Sequence, residues 1–263
     1  MRSSKHLMVT CYDATFARIV GRSAAMDSVL VGDSLGNVIQ GKDSTTEVTM
    51  EQMLYHIAAV ARGLHSSGVS QLPLLIGDMP IHSYETAEAA IKNAHKILNA
   101  GAEMVKVEGP VLDVVKALRD EGIRVCGHIG LTPQSIQDYK VQGKTDVEAE
   151  RLLAEAQALD VAGVELLVLE MIPAALAKKI TESVSAVTIG IGAGPDCGGQ
   201  VLVIYDLLGL NPDFNPKFLK KYGNGFDFVS EALKNYSTEV RMGEFPGEKN
   251  SFGVSSRGPS AVV

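Results

Sequence analysis

The sequence contains no tryptophan and only 5% aromatic residues, so its core must be mostly aliphatic. Basic charge is also scarce. The net charge is −7 and Lys and Arg are scattered, which removes the positive field that nucleic-acid binding needs. No run approaches the ~20 apolar residues that span a bilayer, and Met1–Met8 is too short and polar to act as a secretory signal. Cysteine is limited to Cys11, Cys126 and Cys197, far apart and without a CxxC pair. That pattern indicates free thiols in a reducing compartment rather than a disulfide framework. Together these absences point to a cytoplasmic protein without a nucleic-acid or membrane partner.

What is present has the balance of a globular enzyme. Its 263 residues, 46% hydrophobic and 21% charged, suit one single-cored domain near the usual length of a (β/α)₈ TIM barrel. Short apolar runs of the kind that form parallel strands buried on both faces fall at Leu7–Tyr12, Ser28–Gly32, Leu72–Gly77, Met104–Val107, Arg124–Gly127, Leu166–Leu169, Val187–Ile191 and Val201–Tyr205. Amphipathic stretches, including Met50–Ser67, Glu85–Ala100 and Val147–Ala162, lie between them. Several precede a glycine suited to closing a helix: Gly68, Gly101, Gly122 and Gly163. Repeated β-then-α units imply a parallel sheet; eight strands favour a closed barrel over an open doubly wound sheet. The expected organisation is one α/β barrel domain over 1–252 and a loosely ordered tail over 253–263.

The apolar runs close on Asp13, Asp33, Asp78, Glu108, His128, Glu170 and Asp206. In a parallel barrel such ends converge on the face where catalytic residues gather. A polar residue at any single end needs no explanation beyond contact with water. A set made almost entirely of acids does, because clustered carboxylates repel unless a cation or shared protons compensate. Oxygen ligands without a Cys/His cluster, an HExxH or an EF-hand loop indicate a hard ion such as Mg²⁺ rather than zinc. The period of two places Lys106 beside Glu108, and Cys126 beside His128, on one strand face. Glu170 leaves a strongly buried run, where partial desolvation favours a carboxylate as a general base. Gly190-Ile191-Gly192-Ala193-Gly194 lacks the dinucleotide fingerprint and reads as a tight turn, and Met50, Met53, Met79, Met104 and Met171 read as core filler.

Longer stretches carry a resemblance. They are Val31–Gly36, Gly77–Pro80, Met104–Gly109, Cys126–Ser135, Tyr139–Gly143, Leu167–Glu170, Gly190–Gly194 and Phe245–Glu248. In this order and spacing the chain resembles the ketopantoate hydroxymethyltransferases. The resemblance implies a (β/α)₈ barrel that moves a hydroxymethyl group from 5,10-methylenetetrahydrofolate to 3-methyl-2-oxobutanoate, and a homo-oligomer, a decamer built from pentamers. It further implies Mg²⁺ held or oriented by Asp33, Asp78 and Glu108. Asp33, Ser34, Asp78 and Lys106 would surround the 2-oxo acid, with His128 beside it and Glu170 as proton acceptor. Asp13 and Asp206 receive no role. Two departures stand out: a short lead-in before Thr10, and Lys249-Asn250 where the family pattern has Glu-His.

Two other readings compete. A metal-dependent 2-oxo acid lyase or mutase of the isocitrate lyase/phosphoenolpyruvate mutase type would use the same barrel and enolate, since a shared fold does not fix a reaction. No lyase-like cysteine loop is present, which favours the transferase. A catalytically dead barrel kept as a scaffold would lack one of the acids, and all are present.

Overall fold

The computed structural model describes residues 4–134 and 140–252. The tail at 253–263, and Ser135 and Tyr139 of the family stretches, lie outside the described residues. In chain order the elements are β1 (His6–Thr10), α1 (Ala14–Ser23), β2 (Ser28–Val31), α2 (Leu35–Val38), α3 (Met50–His65), β3 (Leu74–Asp78), α4 (Ala87–Asn99), β4 (Met104–Lys106) and α5 (Leu112–Asp120). They continue with β5 (Val125–Gly130), α6 (Asp146–Ala162), β6 (Leu166–Glu170), α7 (Ala174–Ser183), β7 (Val187–Ile191), β8 (Gly199–Leu202), α8 (Ile204–Leu207) and α9 (Gly225–Met242). The eight strands form one closed parallel barrel in sequence order, β8 pairing back onto β1. This is the single-domain (β/α)₈ barrel expected from the alternation.

Local chemistry sets the helix ends. Thr49 and Gln52 form a reciprocal capping box at the start of α3, as Thr145 and Glu148 do at α6. Gly163 caps α6 with φ 111°, a left-handed conformation that costs a glycine little. Two expected strand ends differ by three residues, the others by less. Residues Val201–Tyr205 do not form one strand, because β8 ends at Leu202 and Tyr205 lies in α8. The run beginning at Arg124 does not stop at Gly127; β5 continues to Gly130, so His128 lies within a strand and pairs with Val168.

The core has two layers. Val9, Val31, Ile57, Val105, Leu118, Leu167 and many others fill the space between barrel wall and helices. Met8, Leu30, Ile76, Met104, Cys126, Leu166, Val168, Ile189 and Val201 fill the barrel itself, with every strand contributing. Met53, Met79 and Met104 are fully buried and Met50 packs against the core, as expected. Met171 instead lines the cavity at the barrel mouth, with φ 49°. The three cysteines are free and buried. Among the described residues no helix is long and apolar enough to cross a membrane.

Candidate active site

The inward layer locates the site. Moving two residues along from Ile76, Met104, Cys126 and Val168 gives Asp78, Lys106, His128 and Glu170, so strand period alone aims these four side chains into the barrel mouth. Glu108 lies two residues beyond Lys106, and Asp33 two beyond the end of β2.

The structure brings most of the expected residues together. Asp33, Asp78 and Glu108 are buried, and each offers a carboxylate oxygen within 4.8 Å of the others. Lys106 lies among them, its Nζ donating to Asp78 Oδ1 at 2.9 Å, Asp78 Oδ2 at 2.8 Å and Glu108 Oε1 at 3.1 Å. Asp33 N donates to Asp78 Oδ2 at 3.1 Å. His128 Nδ1 is 3.0 Å from Glu108 Oε1. On its other side His128 Nε2 is 3.2 Å from Glu170 Oε2, too poorly aligned for a hydrogen bond. The Glu170 side chain keeps 20% of its surface exposed, the partial desolvation expected of it. Ser34 is bonded to the buried Tyr12 hydroxyl, at 2.8 Å.

Electrostatics follow from this crowding. Burial pushes Asp33 up to about 7, reinforced by the charges of Asp78 and Glu108. Asp78 is likewise raised by burial, with Lys106 opposing. Burial alone would lower Lys106, but the carboxylates of Asp78, Glu108 and Asp33 hold it well above its usual value. Glu108 would be raised by burial, yet Lys106 and His128 bring it down to about 2. His128, which burial alone would lower, is held at about 9 chiefly by Glu108. The mouth thus sets Lys106 and His128 against the carboxyl groups of Asp33, Asp78, Glu108 and Glu170. A hard divalent cation among Asp33, Asp78 and Glu108 fits that donor set.

Sequence reasoning missed Gln134 as a bridge between the acids. Its backbone N donates to Glu108 Oε2 at 3.1 Å and its Nε2 to Asp33 Oδ2 at 3.2 Å, while its Oε1 accepts from Tyr84 at 2.6 Å. Gln134 lies beyond the end of β5, where alternation gives no direction, and only the family stretch could have drawn attention to it. Asp13 does not join the site. It is the N-cap of α1, accepting from Thr15 N and Phe16 N. Asp206 lines the same cavity but stands apart from the acid cluster. That cavity has a volume of about 510 Å³, within the range of small-molecule sites, and its walls are largely aliphatic. Gly190–Gly194 forms the end of β7 and the turn after it, with positive φ at Gly192 and Gly194.

Fold and site define a class: a (β/α)₈-barrel enzyme whose mouth concentrates buried acids around one lysine, with a histidine between that cluster and a further, partly exposed carboxylate. The sequence profile of ketopantoate hydroxymethyltransferase matches residues 1–248. The 3-methyl-2-oxobutanoate hydroxymethyltransferase of Ignicoccus hospitalis is 51% identical, over 93% of this chain and 92% of that protein. The chain belongs to the ketopantoate hydroxymethyltransferase family. Two solved structures of low identity share its fold. A 2,3-dimethylmalate lyase, described as a member of the PEP mutase/isocitrate lyase superfamily, superposes with TM-score 0.59 at 14% identity, covering 96% of this chain and 85% of that one. A phosphonopyruvate hydrolase in complex with oxalate and Mg²⁺ gives TM-score 0.60 at 12% identity, covering 94% and 88%.

Proposed function

We propose that this chain transfers a hydroxymethyl group from 5,10-methylenetetrahydrofolate to 3-methyl-2-oxobutanoate, giving 2-dehydropantoate (ketopantoate) for pantothenate synthesis. The observation that carries the reading is one cavity holding an acid cluster and, on the far side of His128, one further carboxylate. Asp33, Asp78 and Glu108 surround Lys106, while Glu170 stands apart, next to His128. A single acid cluster could hold a 2-oxo acid; a second, partly exposed carboxylate is needed to take its C3 proton.

Asp33, Asp78 and Glu108 would hold Mg²⁺, and the Mg²⁺ reported with phosphonopyruvate hydrolase supports this choice of ion. When bound there, such an ion supplies positive charge to the keto and carboxylate oxygens of a 2-oxo acid. Asp33, Ser34, Asp78 and Lys106 bound the substrate pocket, and the Lys106 ammonium attracts the substrate carboxylate where water is scarce. Glu108 holds the His128 ring through Nδ1, which leaves Nε2 within 3.2 Å of Glu170 Oε2. Glu170 accepts the C3 proton. Water opens the donor's methylene bridge, breaking both C–N bonds to release formaldehyde and tetrahydrofolate, and the enolate attacks the formaldehyde carbon, whose oxygen takes up a proton to complete the hydroxymethyl group. Val168, Ile191 and Val201 give that end of the cavity an apolar wall.

The family assignment favours transfer over the lyase or mutase alternative, whose reported structures this chain matches only in fold. The test is to incubate the protein with Mg²⁺, 3-methyl-2-oxobutanoate and 5,10-methylenetetrahydrofolate and follow ketopantoate by mass spectrometry. Product should appear only with all three. Its absence, with the C3 proton still exchanging, would favour the alternative.

A homo-oligomer, a decamer by family resemblance, belongs to the same proposal. It is supported by α9, which has no buried residue and exposes Phe226, Phe228, Leu233, Tyr236 and Met242. A cytoplasmic location is supported by the three free thiols.

A further inference from the structure

We infer that Asp206 is the recognition carboxylate for the one-carbon donor, receiving the paired N3–H and 2-amino hydrogens of its pterin ring. The inference rests on the activity proposed above and adds to it the place and partner of the donor. In the closed strand order β8 lies diametrically opposite β4, which leads to Glu108, and Asp206 follows β8 in α8. Asp206 therefore lines the wall of the cavity across from Glu108, with β1 between its strand and the one that leads to Asp33.

Three observations single it out. First, Asp206 is only 7% exposed, yet its Oδ1 is buried and has no hydrogen-bond partner among the described residues. A buried carboxylate oxygen left unmatched is costly, and such atoms ordinarily find a donor. The nearest influential cation does not serve: Lys221 Nζ donates instead to the carbonyls of Asn211 and Pro212, at 3.0 and 3.1 Å. Burial leaves Asp206 above the usual carboxylate range, so a pair of donors would relieve it.

Second, among the described residues the Asp206 side chain caps no helix N–H and forms no ion pair. Asp13 shows what such a cap looks like, with two helix N–H groups bonded to one carboxylate oxygen. Third, the cavity that Asp206 lines suits a flat heterocycle. In a chain with seven phenylalanines and no tryptophan, Phe214 and Phe218 both line this cavity, which Asn211 also lines. Aromatic faces take planar rings by stacking. The pterin's adjacent N–H and amino groups form a two-pronged donor that matches a carboxylate as a guanidinium does.

The test combines a variant with an altered ligand, measured by calorimetry on the full-length protein with Mg²⁺ and 3-methyl-2-oxobutanoate present. Asp206→Asn should weaken tetrahydrofolate binding on the order of 10- to 100-fold, the range for losing a charge-assisted hydrogen bond. Tetrahydrofolate lacking its 2-amino group should bind wild type correspondingly more weakly, and Asp206→Asn should no longer distinguish the two ligands. In turnover the KM for 5,10-methylenetetrahydrofolate should rise far more than kcat falls. C3 exchange of the 2-oxo acid reports whether the opposite end of the variant's cavity is intact. Unchanged tetrahydrofolate affinity in Asp206→Asn, or equal discrimination against the altered ligand in both proteins, would overturn the assignment. Should the variant not fold, equal binding of both ligands by wild type would overturn it alone. Wild type that exchanges the C3 proton but binds no tetrahydrofolate would instead remove the donor reading itself.

Discussion

Replacing Lys106 by methionine removes the cation from the buried acid cluster while nearly conserving volume. Lys106 is 3% exposed and donates to both oxygens of Asp78 and to Glu108, with Asp33 close by. Breaking a buried pair by removing one partner costs about 3–5 kcal/mol, because the other charge is left uncompensated. For a chain of this size 1 kcal/mol shifts Tm by roughly 2–4 °C, so the variant should melt about 6–20 °C below wild type in chelator. A divalent ion supplied at 100 times its Kd adds about 2.7 kcal/mol to whichever protein binds it. Mn²⁺ or Mg²⁺ should therefore restore a large part of the loss in Lys106→Met. The penalty should also shrink from pH 8 to pH 5.5, where the unpaired carboxylates take up protons. Calorimetric melting with chelator or with metal, at both pH values, measures all of this. An unchanged Tm in chelator, or a loss insensitive to metal and pH, would refute the electrostatic account of the cluster.

Wild type free of metal should lose stability as pH rises from 6 to 9. Asp33, at about 7 against 3.8 unperturbed, stabilises the fold below 3.8 and stops doing so as pH passes 7; His128 does the same between 6.5 and about 9. Melting curves at fixed salt should show the decline, and saturating Mg²⁺ should remove the part due to Asp33. Burial pushes the Cys11 and Cys126 thiols up to about 12 and raises Cys197 too. A disulfide reagent at pH 8 should thus label none of the three in the native protein and all three after unfolding. Gly130 sits at φ 99° with its missing side chain directed at the Glu170 carbonyl oxygen. Gly130→Ala should cost about 2–4 kcal/mol in denaturant melts, from backbone strain and displacement of β6.

Much of the fold was legible because parallel barrel strands are apolar on both faces. The two most displaced strand ends show where that signal weakens. The apolar run at Val201 continues through a buried turn of helix, and hydrophobicity alone does not separate strand from short buried helix. At β5 a histidine reads as an end, yet an inward-facing polar residue at the barrel mouth leaves the ladder intact, as the pairing of His128 with Val168 shows. The site was legible through the same period of two that aims Asp78, Lys106, His128 and Glu170 inward. Position after an apolar run does not distinguish Asp13, a helix cap, from Asp33, a cluster member; only the closed barrel separates them. Gln134 was hidden for a related reason, since loop residues follow no period.

The claim on which the account depends is that Glu170 takes the C3 proton of a 2-oxo acid held by the acid cluster. Deuterated 3-methyl-2-oxobutanoate, incubated with the protein and Mg²⁺ and followed by NMR, tests it directly. The account predicts loss of the C3 deuterium with wild type, and a rate at least about 100-fold lower with Glu170→Gln, the usual contribution of a general base. Equal exchange by the two proteins would contradict it.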